Sequence, residues 1–321
     1  MRFYSIIIPV YNRPQEVKEL LESLKQQTFK DFEVLIIEDG SQIKCDVVVE
    51  SFKKELKVRY YFKENSGQGF SRNFGYARAE GDYFIVFDSD CIIPSQYLEE
   101  VDNCLNRNYL DAYGGPDRAH KNFTYLQKAI SFSMTSVFTT GGIRGNKRHM
   151  GTFHPRSFNM GISREVFEKT KGYIIPYMGE DIEFSIRITK NGFKTGLIES
   201  AFVYHKRRTS LKQFFRQLHF FGRARINISR FYPAELRLTH FFPLCFLIFL
   251  LLYAVGSWFL PTLFFLGTFL LTIYFLAIFL DALLRNKHFW IAILGLVAAV
   301  VQLTAYGIGF ATEGFKKIFK G

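Results

Sequence analysis

The stretch VFDSDCII, residues 86–93, begins as a buried β-strand and ends with two carboxylates, Asp88 and Asp90, separated by one serine. Like charges this close on a tight turn favour either protonation of one carboxyl group or a positive partner for both. Mn²⁺ or Mg²⁺ commonly binds one or two carboxylates together with substrate phosphates. The stretch therefore predicts a divalent-cation site after a strand, and a solvated polar turn is the alternative.

Outward from this stretch, short β-rich runs alternate with helical periodicity. Strands are predicted at 4–11, 32–40, 58–64, 83–90 and within 194–207, helices at 15–28, 46–56, 69–81, 163–173, 180–193 and 209–231, and loop with short helix at 111–155. This alternation favours an α/β fold, Rossmann-like, with a mostly parallel sheet flanked by helices. Ligands bind such sheets beyond the carboxyl ends of the strands, where the polar clusters of this sequence lie.

The C-terminal third is strongly apolar. Asp, Glu, Lys and Arg are absent from 240–280 and from 289–312, and each stretch exceeds the roughly 20 residues that cross a bilayer as a helix. Buried core helices are the alternative, but helices of globular proteins usually carry a polar face. The predicted organisation is a first domain at 1–235, whose residues 205–235 form a basic membrane-proximal helix, a membrane region of about three hydrophobic helices at 240–312, and a short basic tail at 313–321.

The formal net charge of +12 is concentrated just before the first apolar stretch. The basic residues there are Lys206, Arg207, Arg208, Lys212, Arg216, Arg223, Arg225, Arg230 and Arg237. Basic residues beside a spanning helix favour the cytoplasmic face and attract anionic lipid, so the predicted partner is a membrane and not nucleic acid. The four cysteines form no CxxC pattern, which agrees with a reducing compartment.

The predicted location is the cell inner membrane, with several spans and a cytoplasmic first domain. The N-terminal apolar run is too short for a signal peptide, so residues 1–235 are expected to stay on the side where they are made. Three spans would place Arg285 and Lys287 inside but Lys316, Lys317 and Lys320 outside, against the positive-inside tendency. A re-entrant or interfacial segment would remove this conflict.

Three more polar clusters are candidates for chemistry. Asp39, in EDGS, caps a turn or accepts a hydrogen bond from a nucleotide. NSGQGFSRNFG fails the dinucleotide fingerprint because Arg72 stands at the third glycine position, although Arg72 at the start of a helix can reach a diphosphate. Glu180 and Asp181, in GEDIEFSIR, suit a helix dipole, or Asp181 is a general base. His205 is a structural residue, a third metal ligand or a diphosphate contact.

The order of seven segments favours the functional alternatives. SIIIPVYNR, EDGS, NSGQGFSRNFG, FDSD, FNMGISREVF, GEDIEFSIRITKNGF and VYH follow one another across about 200 residues. In this order they resemble a family 2 glycosyltransferase with the GT-A fold, of the membrane-anchored bacterial type. The resemblance covers roughly residues 4–210.

The resemblance implies a role for each matching residue. The implied donor-binding residues are Pro9, Tyr11, Asn12, Asp39, Arg72, Asp88, Asn159, Gly161 and Glu180, of which the first four line the base pocket. The implied metal ligands are Asp88, Asp90 and His205, and the implied catalytic base is Asp181.

The implied reaction is an inverting transfer from a nucleotide diphosphate sugar, with a UDP-sugar as the first choice, to a hydroxyl of a lipid-linked saccharide in cell-surface polysaccharide synthesis. Polyprenyl phosphate is the alternative acceptor, but it is already ionised and needs no base. A processive polymer synthase is disfavoured because SLKQFFRQLHFFGR lacks the Trp of the QxxRW-like segment. A non-catalytic, membrane-anchored carbohydrate-binding protein is the alternative of another class.

Overall fold

The computed structural model of the chain describes residues 2–118, 123–140 and 154–320. The chain forms two compact units. The first unit contains Met1–His120 and Thr152–Lys206, and the second contains Lys121–Gly151 and Arg207–Gly321. The segment TTGGIRGNKRHMG, predicted as loop, lies outside the described residues from position 141 onward.

The strands all belong to the first unit. They are β1 (Tyr4–Val10), β2 (Phe32–Asp39), β3 (Val58–Lys63), β4 (Tyr83–Phe87), β5 (Cys91–Ile92), β6 (Ala112–Gly114), β7 (Asp117–Arg118), β8 (Asn159–Ser163), β9 (Thr195–Leu197) and β10 (Val203–His205).

Helices occur in both units. Those of the first unit are α1 (Pro14–Lys25), α2 (Asp46–Phe52), α3 (Gln68–Tyr76), α4 (Tyr97–Arg107), α7 (Arg164–Thr170) and α8 (Glu180–Lys190). Those of the second unit are α5 (Tyr125–Ser133), α6 (Val137–Thr140), α9 (Leu211–Phe231), α10 (Phe242–Phe259), α11 (Pro261–Asn286) and α12 (Phe289–Lys320), with two short 3₁₀ turns between α9 and α10.

Helix α1 illustrates how the local sequence produces these elements. Pro14 occupies the first helical position, where its fixed φ suits a helix and its missing N–H costs nothing. Val17, Leu20, Leu21 and Leu24 recur at helical spacing, and all four are buried against the sheet. Burying each of these side chains stabilises the fold by about 1.5–3 kcal/mol relative to leaving it exposed.

A seven-stranded sheet in the order β3-β2-β1-β4-β8-β6-β9 organises the first unit. All neighbouring pairs are parallel except those made by β8, which runs antiparallel to β4 and β6. The α/β class, the mostly parallel sheet and the strands β1 to β4 are confirmed. Because β8 is reversed, its first residue, Asn159, pairs with Phe87 and lies at the edge where β4 ends.

Residues 194–207 differ from the single strand predicted there. They form β9, at the edge of the large sheet, and β10, in a second sheet of order β5-β10-β7. A turn at Glu199 and Ser200 separates them. The second sheet pairs His205 with Cys91 and so brings the end of β10 beside the residues that follow β4.

The second unit contains three helices, α10, α11 and α12, that are long and apolar enough to cross a membrane. A turn separates the first two, since α10 ends at Phe259 and α11 begins at Pro261. Trp258, beside this turn, is 86% exposed. Helix α12 continues through most of the predicted basic tail.

Candidate active site

The acidic residues singled out in the sequence converge on one edge of the large sheet. Asp39 ends β2, and Asp88 and Asp90 follow β4, so they share the carboxyl edge of the two parallel strands that flank β1. Glu180 and Asp181 begin α8, and Glu180 is connected to Asp88 through one arginine. This edge is the place where open α/β sheets bind ligands.

Asp39 organises the glycine-rich turn that precedes α3. Its carboxylate accepts hydrogen bonds of 2.9 Å from the backbone N–H of Ser66 and of Gly67, and it pairs with the ammonium group of Lys63. The amide of Asn65 donates to the Asp39 backbone carbonyl at 2.8 Å. A carboxylate held in this way fixes the loop at the end of β2, and its contact with a nucleotide stays a prediction.

Asn12 connects the loops that follow β1 and β2. Its Oδ1 accepts hydrogen bonds from the backbone N–H of Gln42 at 2.8 Å and of Ile43 at 2.9 Å. Its φ of 55° lies in the left-handed region, where asparagine is tolerated better than most residues. Pro9 is half-buried in β1, whereas Tyr11 is 51% exposed and accessible to a ligand.

Arg72 is a fully buried cation between two carboxylates. Its Nη2 lies 3.0 Å from Asp88 Oδ1, and its Nη1 lies 3.1 Å from Glu180 Oε1. Gln68, one turn earlier on α3, also donates to Glu180. Burial tends to lower the pKa of the Arg72 guanidinium, but Tyr173, Asp88 and Glu180 raise it, so Arg72 is charged. Arg72 therefore holds the acid after β4 against the start of α8.

Asp90 lies between an arginine and a histidine. Its Oδ2 is 2.6 Å from Arg13 Nη1, and its Oδ1 is 3.0 Å from His205 Nε2. Asp90, Cys91 and His205 each offer a ligand atom, and these atoms lie within 4.8 Å of one another. Asp88 is not part of this cluster, and its carboxylate contacts Arg72. The structure thus brings the side chains of Asp90 and His205 together, whereas the Asp88 carboxylate is paired with Arg72.

The donor set of this cluster fits a divalent cation. Carboxylate oxygen suits Mg²⁺ and Mn²⁺, and imidazole nitrogen is a common ligand of the first-row divalent metals. Cys91 is a poor ligand for either ion, because burial and the neighbouring carboxylates raise the pKa of its thiol well above the ordinary value. Asp90 and His205 are therefore the metal-binding pair that the geometry favours.

Asp181 is kept ionised by positive neighbours. Its Oδ2 lies 3.2 Å from Arg156 Nη1, and its Oδ1 accepts the backbone N–H of Ile182 at 2.9 Å. Burial alone would raise the pKa of Asp181, but Arg156, then Arg72 and the backbone hydrogen bond, lower it below its usual value. The pKa of Glu180 is raised, first by burial and then by the charge of Asp181. The two adjacent carboxyl groups therefore differ in basicity.

Asn159 and Gly161 are packed inside the first unit. Asn159 is fully buried, accepts the hydroxyl of Tyr97 and donates to the Ala201 carbonyl at 2.8 Å. A Cβ on Gly161 would lie 2.0 Å from a ring carbon of Tyr113, so only glycine fits there. Both residues hold β8 in register beside β4, and their contact with a sugar or acceptor stays a prediction.

Four polar residues of this site were not singled out in the sequence. They are Arg13, Lys63, Gln68 and Arg156. A signal for them existed, since buried or half-buried carboxylates need positive or hydrogen-bonding partners. The sequence does not say which of its many basic residues supply them.

Comparison with known proteins agrees with this geometry. The family model described as "Glycosyl transferase family 2" matches residues 5–170, slightly more than half of the chain. An uncharacterized glycosyltransferase of Rickettsia felis is 32% identical over 140 residues, which are 43% of this chain and 22% of that protein. The matched stretch is therefore a small part of the relative's length.

Two solved structures share the fold. TarS of S. aureus, crystallised with UDP-GlcNAc, aligns with a TM-score of 0.50 and 20% identity over 70% of this chain and 67% of that one. The mannosyltransferase PcManGT of Pyrobaculum calidifontis, in complex with GDP-Man and Mn²⁺, aligns with a TM-score of 0.58 and 15% identity over 99% of this chain and 88% of that one. At these identities the likeness establishes the GT-A type of fold.

Proposed function

The chain belongs to glycosyl transferase family 2, and from that premise we propose an inverting sugar transfer from a nucleotide diphosphate sugar to a hydroxyl of a lipid-linked saccharide at a membrane. The observation that carries the proposal is the buried Arg72, which joins Asp88 after β4 to Glu180 at the start of α8. The complexes of TarS with UDP-GlcNAc and of PcManGT with GDP-Man support a nucleotide-sugar donor.

The donor would bind at the carboxyl ends of β1, β2 and β4. Tyr11 is exposed beside the loops that Asn12 and Asp39 hold in place, which suits contact with a base and ribose. Asp90 and His205 would hold a divalent cation, Mn²⁺ or Mg²⁺, whose charge would neutralise the departing diphosphate. The Mn²⁺ bound by PcManGT supports this role.

Asp181 would remove the proton from the acceptor hydroxyl. Its lowered pKa keeps it ionised at neutral pH, and ionisation is what a proton acceptor requires. A carboxylate base opposite the leaving group suits a single displacement, which inverts the anomeric configuration. Glu180 has a raised pKa and is paired with Arg72, so it would be a positioning residue and not the base.

The acceptor would be presented by the membrane. Helices α10 and α11 are long, apolar and mostly exposed, and the basic helix α9 precedes them in the chain. Basic residues beside spanning helices favour the cytoplasmic face of a bacterial inner membrane, where the catalytic domain would work on lipid-linked saccharides. A role in cell-surface polysaccharide synthesis follows from that acceptor class.

A thermal-shift screen of the purified full chain with UDP-, GDP- and dTDP-sugars, with and without Mn²⁺, tests the donor and the cation. A ligand at 100 times its Kd adds about 2.7 kcal/mol to the stability of the folded chain. We expect stabilisation by one donor class that increases with Mn²⁺, and loss of the Mn²⁺-dependent part in Asp90→Asn.

The matched control for this screen is Glu50→Gln, which neutralises an exposed acid on α2. It is expected to respond like the wild type. Equal responses of wild type and Asp90→Asn to Mn²⁺ would remove Asp90 from the metal site. Donor binding without any transfer or hydrolysis would favour the non-catalytic carbohydrate-binding alternative.

The pH dependence of transfer tests the pairing of Arg156 with Asp181. Because Arg156 lowers the pKa of Asp181, the wild-type rate should fall only at pH values below the usual range of an aspartate. In Arg156→Gln the pKa of Asp181 rises, so the acid limb of the pH–rate profile should move to higher pH. Arg107→Gln, at an exposed position on α4, should leave the acid limb where it is. An unmoved limb in Arg156→Gln would contradict the pairing.

A further inference from the structure

We propose that α12 does not cross the membrane but lies along its surface beside α9, so that α10 and α11 are the two membrane spans among the residues that the structure describes. All three helices are long and apolar enough to span, so length and composition do not distinguish them. Their packing does. The proposal concerns membrane topology and is independent of the proposed sugar transfer.

Helix α9 carries a continuous basic stripe. Lys212, Arg216, Arg223 and Arg230 follow one another at spacings of 4, 7 and 7 residues, which place them on one face of the helix. Each Lys or Arg at the centre of a bilayer costs about 2.5–3.5 kcal/mol even on the most lenient scale. Helix α9 therefore lies outside the hydrocarbon core.

Helix α12 follows α9 closely and in the same direction. A Cβ added to Gly222 would lie 2.2 Å from the Tyr306 carbonyl oxygen, so the two backbones touch there. Further along, Arg223 Nε lies 3.0 Å from Glu313 Oε2, and Lys317 Nζ donates to Ser229 Oγ at 3.0 Å.

From position 306 to position 317, α12 advances about 16 Å at 1.5 Å per residue, and its contacts on α9 advance with it. The second half of α12 therefore occupies the same medium as α9. Glu313, which is buried and also pairs with Arg230 at 3.4 Å, holds the two helices together in this region.

Helix α12 meets α10 at the start of that helix and then leaves it. Gly307 faces Pro243 and Leu247, so that an added Cβ would lie 2.7 Å from the Pro243 carbonyl oxygen. Three residues later, the Phe310 ring packs against Phe241, with ring centroids 5.0 Å apart. A third span parallel to α10 would meet residues beyond 247 at this point. The contacts instead move back toward the start of α10, where the chain enters the membrane.

The exposed side of α12 carries an apolar stripe. Trp290, Val297, Ile308, Phe315 and Phe319 are all exposed, and their spacings of 7, 11, 7 and 4 residues place them on a single face. Two residues of the stripe, Phe315 and Phe319, follow Glu313 in the chain, and Phe319 also follows Lys316 and Lys317. A spanning helix would already have left the membrane at these charged residues. The opposite face of α12 is packed against the protein, largely through small and apolar side chains, so this stripe is the surface that α12 offers to the acyl–headgroup boundary. The occupant of this face is therefore the lipid of the membrane that α10 and α11 enter.

Two spans also remove the charge conflict of the sequence. With α10 and α11 as a hairpin, Arg285, Lys287, Lys316 and Lys317 all lie on the side of the basic helix α9. Three spans would carry Lys316 and Lys317 to the opposite side, against the positive-inside tendency.

Cysteine labelling of the full chain in intact cells tests the topology. Thr262→Cys lies at the exposed start of α11, and Lys316→Cys lies at an exposed position of α12. Both are placed in a background with Cys104→Ser and Cys245→Ser, since the other two cysteines are buried. A membrane-impermeant maleimide is added before or after permeabilisation. We expect Thr262→Cys to react in intact cells and Lys316→Cys to react only after permeabilisation.

Labelling of Lys316→Cys in intact cells would overturn the two-span arrangement, and so would protection of both positions. The same pattern is expected with Asp181→Asn added to each variant, because labelling needs no turnover. A failure of the proposed sugar transfer would therefore leave this result unchanged, and the two proposals can fail separately.

Discussion

Replacing Asp181 by asparagine is expected to reduce the rate of sugar transfer by at least about 100-fold, the lower end of the range for loss of a general base. Asparagine keeps the size and the hydrogen-bonding oxygen of the side chain but cannot accept the proton of the acceptor hydroxyl. The stabilisation of the protein by donor and Mn²⁺ should be retained, because Asp181 contacts Arg156 and not the Asp90–His205 pair. Steady-state rates and thermal shifts on the same preparation measure the two effects.

Glu165→Gln is the matched control for this substitution. Glu165 occupies the first turn of α7 as Asp181 occupies the first turn of α8, so both substitutions remove a favourable helix-dipole interaction of about 0.3–1 kcal/mol. Only Asp181 lies at the candidate site, and only its substitution should slow transfer. Equal rates in the two variants would remove Asp181 from the role of base.

The Asp181→Asn variant also distinguishes the two acceptor classes. A lipid-linked saccharide presents a hydroxyl, which must lose a proton, whereas polyprenyl phosphate is already ionised. We therefore expect a large loss of transfer rate in Asp181→Asn with a saccharide acceptor. If polyprenyl phosphate is the acceptor that reacts, and the substitution slows that reaction only slightly, the alternative reaction is favoured.

The positions of the acids could be predicted from the sequence because strand patterns are local. Asp39, Asp88 and Asp90 each follow a short apolar run, and the carboxyl ends of parallel strands necessarily share an edge. Neither the strand assignment nor the shared edge requires knowing which side chains the acids contact. The helix predicted at 180–193 is likewise a local inference, and α8 has Glu180 and Asp181 in its first turn.

The partners of the acids could not be predicted because they come from distant parts of the chain. Arg13 is 77 residues from Asp90, and Arg72 is 108 residues from Glu180. Strand β8 was missed for a related reason. It is buried on both faces and contains Asn159 and Gly161, so it lacks the alternating pattern of an exposed strand. Only pairing with β4 and β6 makes these residues a strand.

Replacing Arg72 by methionine is expected to destabilise the protein by about 3–5 kcal/mol, the usual cost of removing one partner of a buried ion pair. Methionine preserves most of the apolar stem, so the loss isolates the guanidinium. Glu180, which is 3% exposed, would remain buried without the charge that compensates it. The midpoint of thermal unfolding should fall by roughly 10 °C or more.

Arg78→Met is the matched control, because Arg78 is exposed just beyond the same helix and stacks on the ring of Phe74. It should cost less than about 1 kcal/mol, as exposed cation–π contacts do. Adding Glu180→Gln to Arg72→Met should restore part of the lost stability, since the amide can be buried at lower cost than the carboxylate. Two outcomes would contradict the role of the buried Arg72–Glu180 pair in holding α8 against the residues that follow β4. One is that Arg72→Met unfolds at the same temperature as Arg78→Met. The other is that Glu180→Gln destabilises the Arg72→Met and Arg78→Met variants equally.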